Sequence, residues 1–142
     1  MNITVDEKNA TWISVFMRVA IIIFLGFSGL RKVTGGVGVS VERMRQLFAD
    51  TGTPAWLVTG QAWIVPYLEV AIAIWLLTGY KLRGAFITSA LLILNFCGAM
   101  KILGNGDVVA NNSLFVLLCC VGLFFCHRDR WSIDGLIARK QS

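Results

Sequence analysis

The sequence predicts an all-α integral membrane four-helix bundle with a short amphipathic helix in the first loop, on three observations. Of 142 residues, 56% are hydrophobic and only 15% charged, with a mean hydropathy of +0.71. One soluble core of this length cannot hide that much apolar surface, so lipid must cover part of it. Four apolar runs each approach the twenty or so residues that a helix rising about 1.5 Å per residue needs to cross a hydrocarbon core of about 30 Å. A closed barrel needs alternating apolar and polar positions, and the segment from Val15 to Leu25 has none.

The runs are 12–33, 62–77, 84–103 and 108–126, in a single membrane domain covering residues 1–142. The first is preceded by Asp6-Glu7-Lys8, exceeds the usual signal core and lacks a small-x-small cleavage pattern, so it is expected to stay in the mature protein. The loop from Thr34 to Gly60 carries Val41, Met44, Leu47 and Phe48 at helical spacing opposite Glu42, Arg43, Arg45 and Gln46, as a short helix lying on the membrane surface would. Thr51-Gly52-Thr53-Pro54 ends it with a turn. The basic tail from Arg128 to Lys140, with Trp131 near the interface, suits a juxtamembrane segment resting on anionic lipid. The net charge of +5 is therefore assigned to headgroups, and nucleic acid is not expected as a partner.

Basic residues set the expected orientation. Apart from Arg18, seven flank one side of the membrane and five the other, which favours both termini in the cytoplasm.

Arg18 and Glu69 stand inside the first and second runs, where a mid-helix charge costs on the order of 3 kcal/mol. The simplest reading pairs them, since their backbones are expected to differ by only about 8 Å in depth. Arg18, Leu25, Gly29 and Lys32 share one face, Thr88 and Asn95 another, and Asn112, Cys119 and Cys126 a third, all expected to point inward. Lys32, Lys101, Asn111 and Asn112 fall at the outer end, above Glu69. Together they describe a basic, amide-lined mouth over a buried carboxylate, a candidate binding site in which Lys32→Met or Lys101→Met would leave folding nearly intact. The structural alternatives are an Arg–Glu pair that fixes register, lysines that snorkel to headgroups and an Asn95 that glues helices.

Cys97, Cys119, Cys120 and Cys126 contain no C-x-x-C and read as small apolar packing residues. His127 alone does not supply two axial haem ligands. No metal cluster, nucleophile–base pair or phosphate loop is visible, so no metal site and no resident cofactor is expected, and any redox role must borrow a partner.

The stretch Arg18-Val19 and Phe24-Leu25-Gly26-Phe27-Ser28-Gly29-Leu30-Arg31-Lys32-Val33, with its Arg and its G-x-x-K ending, resembles the first helix of the DoxX-like family (DoxX/DoxD). Glu69 followed by Leu76-Leu77-Thr78-Gly79-Tyr80-Lys81-Leu82-Arg83 resembles that family's second helix and turn, and Gly52-x-Pro54 its loop; Ala73 stands where the family often has glycine. The resemblance implies a four-helix membrane bundle named after a small subunit associated with a thiosulfate:quinone oxidoreductase. The expectation is thus a small accessory subunit of a membrane oxidoreductase in a bacterial inner membrane. In it Lys32, Glu69, Lys101, Asn111 and Asn112 would hold an anionic or quinone-type ligand. The alternatives are an assembly or scaffold subunit of a larger membrane complex and a small-solute transporter acting as a homo-oligomer.

Overall fold

A computed structural model describes residues 7–128 and 132–133. Five helices follow one another: α1 (Glu7–Thr34), α2 (Val37–Phe48), α3 (Ala55–Thr78), α4 (Leu82–Ile102) and α5 (Gly106–Phe125), with a 3-10 turn at Cys126–Arg128. No strand occurs among the described residues. Four of the helices, all but α2, are long and apolar enough to cross a bilayer. The protein is a helical membrane bundle. The basic tail and Trp131 lie outside the described residues.

α3 begins at Ala55, seven residues before the expected start of the second span at 62. Pro54 sets the start: it cannot donate a helical hydrogen bond, but its carbonyl accepts from Leu57 and Val58 and opens the first turn. The loop thereby shrinks to a tight connection, and α2 is drawn over the end of the bundle. Its buried residues are Val37, Val41 and Phe48, with Met44 half-buried between them, a stripe at helical spacing. Leu47, expected on that face, is 50% exposed, because it falls one position off the stripe.

α1 packs against α3 and α5, and α5 against α4, while α3 and α4 touch far less. The dry core lies toward the α3–α4 turn. There Ile21 and Leu25 meet Ile72 and Leu76 of α3, Ala85, Phe86 and Ile93 of α4, and Cys119 of α5. Lipid tails are as apolar as these side chains, so close fit rather than water exclusion holds such helices together. Phe86 lies so near Gly122 that any Cβ on α5 there would collide with its ring. Phe24 and Phe115 stack with ring centroids 3.8 Å apart where α1 meets α5.

The α3–α4 turn depends on Gly79. Its φ of 71° is left-handed, and its N–H closes the end of α3 on the Trp75 carbonyl. The Trp75 indole N–H donates to the Tyr80 carbonyl at 2.6 Å and ties the turn back to the helix.

Candidate functional site

The antiparallel register of α1 and α3 decides which polar groups meet. At Gly29 an added Cβ would lie 2.8 Å from the Glu69 Cβ and 2.9 Å from the Pro66 carbonyl oxygen, so the two backbones approach as closely as only glycine permits. Descending α1 by three residues brings Gly26 to Ala73, where an added Cβ would sit at an ordinary 3.5 Å. Descending further brings Arg18 to the α3–α4 turn. An added Cβ on Gly79 would stand 2.8 Å from the Arg18 Nη1 and 3.0 Å from Ser132.

Ser28 and Lys32, four residues apart on one face and flanking Gly29, consequently converge on Glu69. The Ser28 hydroxyl donates to Glu69 Oε1 at 2.8 Å. The Lys32 ammonium donates to Oε1 at 2.8 Å and Oε2 at 2.9 Å. Glu69 is wholly buried, whereas the Lys32 side chain keeps 28% of its surface. A carboxylate at that depth is tolerable because it is paired and both oxygens accept hydrogen bonds.

The expected Arg18–Glu69 pair is therefore replaced by Lys32–Glu69. Ten residues of helix separate Glu69 from Gly79, about 15 Å along the axis, which exceeds the reach of an arginine. Arg18 is buried beside the α3–α4 turn, away from the carboxylate. The expectation that Lys32→Met would leave folding nearly intact falls with the old pairing, since it strands Glu69 without a counter-charge.

Beside this triad lies a cavity of about 310 Å³. Met44 and Phe48 of α2 roof it, Val58, Val65 and Pro66 of α3 form one wall, and Phe96 of α4 faces them, with Lys32 as the charged group in its lining. The ammonium also lies 5.2 Å from the centroid of the Phe96 ring, within cation–π range. Two of its three N–H donors are spent on Glu69, and among the described residues the third has no hydrogen-bond acceptor. Pro66 has no N–H, so the Ala62 carbonyl at the cavity wall loses its helical donor. Lysine thus places an unspent donor at the cavity, beside a carbonyl that proline deprives of its helical donor.

Of the residues proposed to bind, the structure brings together Lys32 and Glu69. Lys101 and Asn111 are exposed, Asn112 is buried, and none of these three lines the cavity. Asn95, expected to point inward, is exposed along the α3–α4 seam, where its Oδ1 accepts from the Gln61 Nε2 at 3.4 Å. Ser28 was legible as a hydroxyl four residues before a lysine across a glycine. Gln61 was masked because it falls just before the expected second span. Among the described residues no group of three or more His, Cys, Asp or Glu side chains is placed to hold a metal.

Comparison with known proteins adds a family. The family described as methylamine utilisation protein MauE matches residues 10–107, from the start of α1 to the start of α5. The chain belongs to the MauE family. That match overturns the DoxX-like resemblance, because it spans the same Arg18, G-x-x-K and Glu69 segments on which the resemblance rested. Those residues record a physical requirement, a close α1–α3 crossing with a buried ion pair beside it, which is a weak marker of any one family. No curated protein and no solved structure matches this MauE-family chain.

Proposed function

We propose that this MauE-family chain is an accessory membrane protein of an amine-utilisation system with a redox partner, and that its own part is to hold a neutral, carbonyl-headed ligand of the quinone type beside Lys32. The family description supports the first half. The single observation that carries the second is Lys32, paired with the buried Glu69, in the wall of an apolar cavity.

The charge balance selects the ligand. Because Glu69 already neutralises Lys32, an anion entering the cavity meets no net positive charge and loses its hydration for little return. A carbonyl oxygen needs only one donor, which the ammonium retains, and a charge-assisted bond of this kind is stronger than a neutral one. Phe96, Met44 and Phe48 supply apolar surface for a ring. The site's ionisable groups are spent on each other, which suits a site that holds a ligand for a partner to act on. A bacterial inner membrane with both termini in the cytoplasm is the accompanying proposal for location, from the basic-residue bias.

Purification of the full chain in native lipid, followed by extraction and mass spectrometry, tests this. A quinone-type lipid retained at about one per chain is expected, with loss of methylamine-dependent growth when the gene is deleted. A chain that carries no such lipid yet co-purifies with a large membrane partner would overturn the binding role in favour of a scaffold.

A further inference from the structure

The ring of four long helices has one loose seam, between α3 and α4. A second cavity of about 380 Å³ opens along it, lined by Val65, Leu68 and Ile72 of α3 and by Leu91 and Leu92 of α4. The two cavities share Gln61, Val65 and Asn95, so they adjoin. At that junction the Gln61–Asn95 hydrogen bond bridges the seam, between two exposed side chains on membrane-spanning helices. At 3.4 Å it lies beyond the usual range for an N–H···O bond and is readily broken.

Volume then limits what the Lys32 cavity holds. At about 310 Å³ it lies at the lower end of the roughly 300–1,000 Å³ typical of ligand pockets, enough for a small ring system but not for a long chain as well. A chain attached to the ring must leave through an apolar wall, and the adjoining groove is such a wall.

We propose that the α3–α4 seam is a lateral portal for a quinone-type lipid, whose ring sits at Lys32 and whose hydrocarbon chain runs between Leu68 and Leu91 into the bilayer, with Gln61–Asn95 as the latch. This rests on the reading of Lys32 as the donor to the ring. The lipid reaches its site from the membrane, without crossing water, and α2 remains in place as the roof during passage. The loose packing of α3 on α4 is what a passage requires, since a tightly packed seam would have to be broken along its length each time.

The test uses the full chain in nanodiscs, with Gln61→Cys and Asn95→Cys introduced after the native cysteines are replaced by alanine, and a short bis(methanethiosulfonate) cross-linker, which forms a reducible disulfide at each cysteine with loss of methanesulfinate, to close the seam. Two probes are titrated, methyl-naphthoquinone and the same ring bearing a decyl chain, and bound ligand is counted by native mass spectrometry. Cross-linking is expected to weaken the decyl probe by about tenfold or more, roughly 1.4 kcal/mol per tenfold, while the chain-free ring, which needs no exit for a chain and can enter where Lys32 is 28% exposed, binds as before. Reduction should restore the decyl probe in the same sample, which excludes misfolding as the cause. If both probes bind regardless of the bridge, the portal is overturned and the Lys32 site stands. If neither binds even before bridging, the Lys32 site falls and the portal with it.

Discussion

Glu69 is the residue on which the polar site turns, since a wholly buried carboxylate needs its partners more than they need it. The asymmetry is measurable. Lys32→Met leaves the buried Glu69 without its counter-charge, and should cost about 3–5 kcal/mol. Glu69→Gln leaves a partly exposed ammonium that reaches toward headgroups, and should cost less, about 1–3 kcal/mol. Unfolding in mixed micelles reads both values, and a smaller cost for Lys32→Met than for Glu69→Gln would contradict this order. A double-mutant cycle on Lys32 and Glu69 should show coupling of about 1–3 kcal/mol, whereas Arg18 and Glu69 should be additive within about 0.5 kcal/mol.

At the scale of the helix pair, Gly29 sets the distance between α1 and α3 and so the geometry of the triad. Its neighbours are the Glu69 Cβ and a backbone carbonyl, which cannot rotate away. Gly29→Ala should therefore push the helices apart and destabilise the bundle by about 1–3 kcal/mol, the usual cost of overpacking. Gly60→Ala offers the contrast on α3, since a Cβ there meets nothing within 4 Å and alanine favours the helix by about 1 kcal/mol. Thermal unfolding of the two variants should move in opposite directions. If both move together, the crossing at Gly29 is looser than its contacts imply.

For the whole molecule, the bundle is solid at the α3–α4 turn and hollow under α2, with its polar triad at the boundary between the two. Such a division keeps the site near one membrane face, and the proposed orientation makes that face the outer one. Val39, 71% exposed on α2, provides the probe. In a cysteine-free background, Val39→Cys should react with a membrane-impermeant maleimide added to intact cells, and a cysteine at the C-terminus should react only after lysis. The reverse pattern would place α2 and the cavity on the cytoplasmic side.

The helical membrane bundle was legible in the chain alone, because hydrocarbon demands internally bonded backbone and long apolar runs record that demand residue by residue. The amphipathic character of α2 was legible there too, and Arg18, Lys32 and Glu69 stood out as the charges to explain. Their pairing was not legible, because it depends on where α1 crosses α3. That crossing is fixed at Gly29 by a contact with residues about forty positions away, and no periodicity within either helix reports it. The cavity and the loose α3–α4 seam were decided by the tertiary structure alone, because a void is a property of how surfaces fail to meet.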